Sequence, residues 1–320
     1  MTGEKQEASW SIPKFYFLLT FLGLLLISCS KEEGTPSIEP NPVEAPITGF
    51  FSLNLPVGSQ TREYILYVPE SYDENKPTPL LFNFHGYTQT ADFQYNFGSM
   101  RHIADTANFI LVYPQGAQFR GNSHWNIGSW TQGSTASDLS FTNAMIDAIA
   151  ADYNINEDRI YACGYSNGGF FSFELACRLS ARIAAVGSVA GNMSDRTFEA
   201  CNPSHPTPVI TIHGTNDNIV RYNGTVPEGI ISQDEVLSYW TNFNRTDQEA
   251  IIENIEDLDP ADGSTVEYYQ YLNGDNGVSV EHYKVINGRH DWPGSSGNMD
   301  IDASLLIWNF VSQFDINGPI

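Results

Sequence analysis

The feature of this sequence that most restricts its fold is a series of short apolar runs, bounded by turn residues, that alternate with helical patterns. Six of these runs have the length and composition of strands: 64–68, 80–84, 109–113, 159–163, 184–189 and 208–213. Strands that are apolar throughout are buried on both faces, as in parallel sheets covered by helices. We therefore predict one α/β domain over residues 47–320, with a mostly parallel sheet and helices on both faces.

Helical and hairpin signals complete this pattern. Apolar residues recur at helical spacing over 141–151, Ser232 and Glu235 form a capping box before 236–243, and Asp302 is a suitable N-cap for a closing helix over 303–314. The runs 265–271 and 278–286 flank an Asn-Gly-Asp-Asn-Gly segment that favours a hairpin. No internal repeat or second linker divides the segment, so we expect no large cap domain.

The first 28 residues are predicted to be a signal peptide. Lys5 and Lys14 precede an uncharged run over 15–27 that is apolar apart from Thr20. A run of this length spans about 20 Å as a helix, which is short of the ~30 Å hydrocarbon core of a bilayer. The junction Leu-Ile-Ser-Cys29 resembles the lipobox of bacterial lipoproteins, in which the signal is cut before the cysteine and its sulfur is lipidated. The alternative is a plain signal peptide followed by an incidental cysteine.

Residues 29–46 are predicted to be a lipidated cysteine and a flexible tether. Ser-Lys-Glu-Glu after Cys29 looks like the tag that sends lipoproteins of Bacteroidetes to the outer face of the outer membrane, although an ordinary charged linker has the same composition. The prolines of the following segment favour an extended chain: Pro36, Pro40, Pro42 and Pro46. We expect a bacterial outer-membrane lipoprotein, exposed at the cell surface and bound to the membrane through Cys29.

Charge excludes one class of partner. The chain has 15 Lys and Arg against 38 Asp and Glu, a formal net charge of −23. Such a surface repels phosphate backbones, so we expect no nucleic acid partner.

We also expect the protein to be a monomer.

The three cysteines that follow Cys29 differ in context. Cys163 lies in an apolar run and is predicted to be a buried, inert thiol. Cys177 and Cys201 remain, and in an oxidising compartment we predict a disulfide between them, although the sequence alone does not determine the connectivity.

The segment Gly164-Tyr-Ser166-Asn-Gly168 follows a predicted strand and precedes a helical pattern near Phe170. In a nucleophile elbow, a strand turns sharply into a helix, and small flanking residues permit the strained backbone that exposes the serine hydroxyl. The alternative is a glycine-rich turn in which the serine caps the helix. The position between a strand and a helix favours the elbow, with Ser166 as the nucleophile.

A serine nucleophile needs a base and an acid that orients the base. Asp217 follows the run 208–213, at the edge where open α/β sheets build their sites, and His290 lies in a loop after the last long strand. We predict Asp217 as the acid and His290 as the base, whereas a surface histidine is the alternative for His290. Asp291 is a rival acid, but a direct neighbour would have to fold back to reach Nδ1 of the imidazole.

The third requirement is a pair of N–H donors for the oxyanion. The run 80–84 leads into His85-Gly-Tyr87, the usual place for one donor, and the residue after the nucleophile supplies the other. We predict the backbone N–H groups of Tyr87 and Asn167 as this pair. For the side chain of His85 we favour a structural role in holding the loop.

Seven blocks of sequence together resemble the polyhydroxybutyrate depolymerase/feruloyl esterase group, in carbohydrate esterase family 1 and its relatives. They are 81–86, 113–116, Trp125-Asn126, 164–168, Ala190-Gly191, 213–217 and 290–294. The resemblance spans about residues 50–315, keeps motif order, and implies an α/β-hydrolase fold with Ser166, Asp217 and His290 as the triad. Arg289 and Asn218 depart from the usual residues beside the histidine and the acid, and Arg289 could alter the rim of the pocket.

The resemblance implies a serine esterase that needs no metal or cofactor. Asp257, Asp259 and Asp262 faintly resemble a calcium loop, but their spacing misses the EF-hand pattern, so a solvated turn is the better interpretation. The expected substrates are feruloyl or acetyl esters on xylan-type polysaccharides. A polyester depolymerase is the alternative enzyme, and a non-catalytic glycan-binding lipoprotein is the alternative of another class.

Three tryptophans are predicted to bind substrate. Trp125 and Trp130 lie in a polar segment over 117–137, and Trp292 follows the predicted catalytic histidine. Aromatic side chains beside a serine site stack on sugar or feruloyl rings. The alternative for each is packing beneath the loops.

Overall fold

The computed structural model describes residues 48–225 and 228–320. The predicted signal peptide, the tether and Cys29 lie outside the described residues. None of the helices in the described part of the chain is long and apolar enough to cross a bilayer.

The described domain is built from strands and helices that alternate along most of the chain. The strands are β1 (Gly49–Val57), β2 (Gln60–Val68), β3 (Thr78–Phe84), β4 (Ile110–Pro114), β5 (Ala117–Phe119), β6 (Asn122–His124), β7 (Ile155–Tyr165), β8 (Ala185–Val189), β9 (Val209–Gly214), β10 (Ile251–Asn254), β11 (Thr265–Tyr271), β12 (Val280–Ile286), β13 (Phe314–Asp315) and β14 (Gly318–Pro319). The helices are α1 (Ala91–Phe97), α2 (Arg101–Ala107), α3 (Asp138–Asp152), α4 (Asn167–Arg178), α5 (Asp195–Ala200), α6 (Gln233–Asn244) and α7 (Ala303–Val311).

One 10-stranded sheet forms the centre of the domain, in the order β1-β2-β4-β3-β7-β8-β9-β12-β11-β10. The strands from β4 to β12 in this order are parallel to one another, and β1, β2, β11 and β10 add antiparallel edges. The prediction of a mostly parallel sheet is therefore confirmed. Since β4, β7, β8, β9 and β12 all run the same way, the loops after their carboxyl ends meet at one edge, which we call the carboxyl edge.

Two hydrophobic clusters cover the two faces of the sheet. One contains apolar side chains of α3, α4 and α6, such as Phe141, Phe171 and Trp240. The other contains side chains of α2 and α7, such as Ile103 and Ile307. A sheet buried on both faces accounts for the continuous apolar runs of its central strands.

The local helix and hairpin signals are also confirmed. Ser232 accepts from the Glu235 N–H while the Glu235 carboxylate accepts from the Ser232 N–H, so the capping box starts α6. Asp302 caps α7 by accepting from the N–H of Leu305. Strands β11 and β12 pair antiparallel, with Tyr271 opposite Val280.

Sequence reasoning missed several elements at the periphery. Strand β1 alternates half-buried and exposed positions, because it is an edge strand with only one face on the core. Strand β10 is exposed along its length. Helices α1, α2 and α5 have only six or seven residues each, which is too short for a clear helical period.

A disulfide joins Cys177, at the end of α4, to Cys201, directly after α5, across a separation of 24 residues. Cys163 is free and buried, and burial raises the pKa of its thiol well above the ordinary value. A thiol with these properties is unreactive, since the thiolate is the reactive form.

Loss of the disulfide should destabilise the fold without altering the predicted site. We expect the Cys177→Ser/Cys201→Ser double variant to lose about 3 kcal/mol of free energy of unfolding, because the unfolded chain regains the entropy of a closed loop. Urea denaturation measures this loss, and reductant should destabilise the wild type by a similar amount while leaving the variant unaffected. A variant as stable as the wild type would contradict the prediction.

Candidate active site

Ser166 lies at the turn between β7 and α4, with a backbone φ of 53° and ψ of −117°. This conformation is strained for any residue with a side chain. The chain crosses itself so closely here that a Cβ on Gly168 would lie 2.1 Å from the carbonyl oxygen of Phe84, and one on Gly164 would lie 2.5 Å from the backbone of Gly168. The Ser166 hydroxyl makes no capping hydrogen bond to α4, so the geometry is that of an elbow rather than of a capping serine.

Asp217 and His290 meet at the carboxyl edge, although 73 residues separate them. The loop after β9 carries Asp217, the loop after β12 carries His290, and the two strands are parallel neighbours. Nδ1 of His290 lies 2.6 Å from Oδ2 of Asp217. The Asp217 side chain is fully buried, whereas the His290 side chain is 15% exposed. A buried carboxylate in this position holds the imidazole in the tautomer with its proton on Nδ1.

Asp217 has a second histidine partner that the sequence did not reveal. Nε2 of His213, the penultimate residue of β9, lies 2.8 Å from the carbonyl oxygen of Val220 and 3.3 Å from Oδ2 of Asp217. The N–H groups of Ile219 and Val220 donate to Oδ1 at 2.8 Å and 2.9 Å. Burial alone would raise the pKa of Asp217, but the hydrogen bonds with His213 and His290 outweigh it and hold the pKa well below its usual range. The carboxylate is therefore ionised and fixed in orientation.

The rival acid faces away from the imidazole. Oδ1 of Asp291 accepts a hydrogen bond from the Ser296 hydroxyl at 3.2 Å. A Cβ on Gly297 would lie 2.5 Å from the Asp291 carboxylate, so this side chain packs against the loop over 295–297. The hydrogen bond to His290 belongs to Asp217 instead.

Tyr165 ties the histidine loop to the elbow. Its hydroxyl donates to the carbonyl oxygen of His290 at 2.7 Å, and the two rings lie 5.0 Å apart between centroids. Because Tyr165 directly precedes Ser166, His290 is held against the elbow. Among the described residues no hydrogen bond joins the Ser166 hydroxyl to the imidazole; in proteins without substrate such bonds are often long and tighten on binding.

The segment after β6 and the loop after β3 both lie against the start of α4. The Trp125 N–H donates to Oδ1 of Asn167 at 2.7 Å, and Nδ2 of Asn167 donates to the Trp125 carbonyl at 3.1 Å. These bonds fix the residue that follows Ser166. Within the described part of the chain, the N–H groups of Gly86 and Thr88 have acceptors, whereas no loop or turn hydrogen bond uses that of Tyr87.

His85 holds this loop as a neutral side chain. Its Nδ1 lies 2.7 Å from the carbonyl oxygen of Gly86 and donates to it. Its Nε2 accepts from the N–H of Gly116 at 2.9 Å. A second proton, on Nε2, would face the N–H of Gly116, which is itself a donor. Burial disfavours the charged imidazolium and lowers the pKa of His85 to about 4. These contacts agree with a structural role for His85.

Acid should destabilise the protein through His85. An unfolded histidine has a pKa near 6.5, so between about pH 6.5 and pH 4 the unfolded chain binds a proton that the folded chain does not. The free energy of unfolding should therefore fall by about 3 kcal/mol from this residue as the pH is lowered through that window. Urea denaturation across this range should give a flatter pH profile for His85→Gln and an unchanged one for His102→Gln, which alters an exposed residue of α2. Equal slopes in all three proteins would refute the assignment.

The three tryptophans have different environments. Trp125 is completely buried between Phe84 and Phe171, with its indole N–H donating to the His85 carbonyl. Trp292 is 1% exposed, and its indole N–H donates to the Ser304 hydroxyl. Rings buried to this extent offer no face to a ligand, so the expectation that these two contact substrate is corrected to packing. Trp130 is half-buried and borders a surface cleft.

His213 and Tyr165 are the residues of the site that sequence reasoning missed. His213 ends the predicted strand 208–213, and Tyr165 directly precedes the predicted nucleophile, so both lie within recognised motifs. Their roles depend on side-chain directions across neighbouring strands, which no local pattern specifies.

Two carboxylates of the segment over 257–263 accept backbone hydrogen bonds. Asp259 accepts from the N–H of Ala261, as in an ordinary turn, and Asp262 accepts from those of Ser264 and Met299. In the described ranges, no group of three or more His, Cys, Asp or Glu side chains has an arrangement that could hold a metal ion.

A family model described as "Esterase PHB depolymerase" matches residues 62–223. Among curated proteins, a bifunctional acetylxylan esterase/xylanase of Neocallimastix patriciarum is 29% identical over 259 residues, which are 81% of this chain and 34% of that protein. Feruloyl esterase B of Piromyces equi is 28% identical over 260 residues, 80% of this chain and 46% of that protein. The chain thus spans about a third to a half of the length of these relatives.

Solved structures share the fold at low identity. An acetyl xylan esterase from Aspergillus awamori superposes with a TM-score of 0.55 at 13% identity, covering 78% of this chain and 94% of the other. A ferulic acid esterase from Anaeromyces mucronatus superposes with a TM-score of 0.51 at 16% identity, covering 87% and 94%. These neighbours support the α/β-hydrolase fold.

Proposed function

The chain belongs to the Esterase PHB depolymerase family, and from this premise we propose that it is a serine esterase that hydrolyses carboxylic esters with Ser166, Asp217 and His290. The observation that carries the proposal is the hydrogen bond of 2.6 Å between Nδ1 of His290 and the buried Asp217 carboxylate, beside a serine on a strained elbow. A buried, ionised acid that orients a partly exposed imidazole is the arrangement that makes a nearby hydroxyl nucleophilic.

The proposed reaction has two steps and passes through an acyl-enzyme. Nε2 of His290 takes the proton of Ser166 as Oγ attacks the ester carbonyl carbon, and the Asp217 carboxylate stabilises the imidazolium that forms. The tetrahedral intermediate collapses as the C–O bond to the alcohol breaks and His290 protonates the leaving oxygen. Water then attacks the acyl-enzyme with His290 again as base, which releases the acid and restores Ser166.

The backbone N–H groups of Tyr87 and Asn167 are our proposed donors to the oxyanion. Asn167 begins α4, so the partial positive charge of the helix N-terminus adds to its N–H. The hydrogen bonds between its side chain and the Trp125 backbone restrict the movement of this donor. Donors fixed before the reaction need no reorganisation as charge develops on the oxygen.

For the substrate we propose feruloyl or acetyl esters on xylan-type polysaccharides. The curated relatives, an acetylxylan esterase/xylanase and a feruloyl esterase, support this class. Secretion, lipidation of Cys29 and exposure on a bacterial outer membrane, as proposed from residues 1–46, suit an enzyme that meets a polymer outside the cell. No cofactor is required by this chemistry.

One set of assays tests the proposal. Purified protein should hydrolyse 4-nitrophenyl acetate and then be compared on methyl ferulate, acetylated xylan and short hydroxybutyrate oligomers. We expect the turnover of methyl ferulate or of acetylated xylan to exceed that of the hydroxybutyrate oligomers. Preference for hydroxybutyrate oligomers would replace the substrate proposal by a polyester depolymerase. Absence of ester hydrolysis, together with binding of glycans, would replace the enzyme by a glycan-binding protein.

A further inference from the structure

A cleft of about 490 Å³ opens on the surface beside the elbow. Its lining combines one aromatic ring with hydroxyl, amide and carboxylate groups, chiefly Ser129, Trp130, Gln132, Asp195, Glu199 and Glu228. None of these residues takes part in the proposed triad or oxyanion hole.

The walls of the cleft are all connections at the carboxyl edge. Residues 126–134 belong to the crossover from β4 to α3, Asp195 and Glu199 to the helix that follows β8, and Glu228 to the segment between β9 and α6. Ser166, Asp217 and His290 follow β7, β9 and β12 at the same edge. The cleft and the candidate active site therefore open at the same edge of the sheet.

Two contacts show how near the cleft is to Ser166. The ring of Trp130 packs edge-to-face on that of Phe170, with centroids 4.9 Å apart. The Phe170 N–H donates to the carbonyl oxygen of Ser166 at 3.0 Å. On another side, Asn126 lines the cleft and directly follows Trp125, whose backbone is bonded to Asn167. Phe170 thus lies one helical turn from the nucleophile, and Trp130 packs on it from the side of the cleft.

Arg196 makes one wall rigid. Its guanidinium donates to Oδ1 of Asn126 at 3.1 Å and to the carbonyl of the same residue at 2.7 Å. Gly128, with φ of 75°, lets the loop approach the Arg196 side chain, because a Cβ there would lie 3.0 Å from it. Because these contacts already fix the wall, little further conformational entropy is lost when a ligand binds.

The charge of the cleft favours a neutral ligand. Arg196 is the one cation among the described residues of the lining, and it lies 3.4 Å from the buried carboxylate of Glu174, which Arg178 also contacts at 3.2 Å. Asp195, Glu199 and Glu228 are exposed and leave the cleft acidic. An anionic ligand such as a uronate or a phosphate would be repelled, whereas the hydroxyl groups of a neutral sugar can donate to carboxylates.

We propose that this cleft binds the neutral sugar backbone of the polysaccharide, a few units away from the esterified unit in the active site. The partly exposed ring of Trp130 provides an apolar surface for a pyranose ring, and the surrounding carboxylates, amide and hydroxyls bond to its hydroxyl groups. This inference rests on the proposed function and deepens it, since it makes the cleft a specificity site for polymeric over small esters.

Trp130→Ala tests the proposal through the difference between substrates. On acetylated xylan we expect KM to rise about three- to tenfold with little change in kcat, because an aromatic contact contributes roughly 0.5–1.5 kcal/mol. On 4-nitrophenyl acetate, which is too small to reach the cleft, kinetics should be unchanged. The matched control is Tyr67→Ala, which removes a half-buried aromatic of β2 at the opposite edge of the sheet and should leave both substrates unaffected.

A binding measurement separates this inference from the proposed function. Calorimetry with xylohexaose on the Ser166→Ala protein needs no turnover, and Trp130→Ala in that background should weaken binding by the same three- to tenfold while Trp130→Phe retains most of it. Equal loss on both esters, or unchanged xylohexaose binding in the Trp130→Ala protein, would overturn the inference. Failure of 4-nitrophenyl acetate hydrolysis in the wild type would instead overturn the proposed function.

Discussion

Replacing Ser166 by alanine should abolish ester hydrolysis, with kcat on 4-nitrophenyl acetate falling by about 10⁶-fold. Loss of the nucleophile in a serine hydrolase leaves only the modest acceleration supplied by binding and oxyanion stabilisation. Because the substitution removes one oxygen from a buried position and leaves the backbone unchanged, the protein should remain folded. Steady-state kinetics measure the effect, and circular dichroism with urea denaturation verifies the fold.

The matched control for this variant is Ser71→Ala. Ser71 follows β2, which runs antiparallel to its neighbour β4, so its hydroxyl lies at the opposite edge of the sheet from Ser166. The control should keep wild-type kcat. A Ser166→Ala protein that is folded and still turns over at more than about a thousandth of the wild-type rate would exclude Ser166 as the nucleophile.

The second large effect is expected from Asp217→Asn, with kcat lower by about 10⁴-fold. An amide in place of the carboxylate presents an N–H₂ group to His290, which favours the imidazole tautomer with its proton on Nε2, so that the base can no longer accept the serine proton. The substitution also removes the anion that would stabilise the imidazolium. Activity should not recover at higher pH, because the amide does not ionise.

Asp291→Asn is the matched comparison for the acid. It makes the same chemical change one residue from His290, at a side chain that bonds to Ser296 instead. We expect less than a threefold change in kcat for this variant. If Asp291→Asn were the more damaging substitution, the acid of the triad would be Asp291, and the hydrogen bond between Asp217 and His290 would be structural.

Much of the fold was predictable because its determinants are local. Continuous apolar runs mark the buried central strands, the Ser232 and Glu235 pair marks the start of α6, and an Asn-Gly-rich turn marks the hairpin. The edge strand β1 and the short helices escaped this reasoning. An edge strand is half-exposed, and a helix of two turns has too few residues for its period to stand out.

The candidate site also has features that the local sequence predicts and features that only the packing of distant segments explains. The elbow could be read from sequence because the close crossing of backbones demands glycine at positions such as 164 and 168. The chain order of serine, acid and histidine at successive strand ends is likewise a property of the sequence. Asp217 was preferred to Asp291 from the sequence, and the parallel pairing of β9 with β12 gives the contacts behind that preference: Asp217 bonds to the imidazole, whereas Asp291 bonds to Ser296 in its own loop.

By itself, the sequence determined which residues bear reactive groups and where the backbone must turn, since both follow from side-chain chemistry and local conformation. Tertiary structure alone decided which of those groups touch. Trp125 and Trp292 became core while Trp130 kept an exposed edge, His213 became a partner of Asp217, and an acidic cleft formed from three distant loops. Such contacts depend on how elements far apart in the chain pack against one another, and that packing is set by the whole core rather than by any single segment.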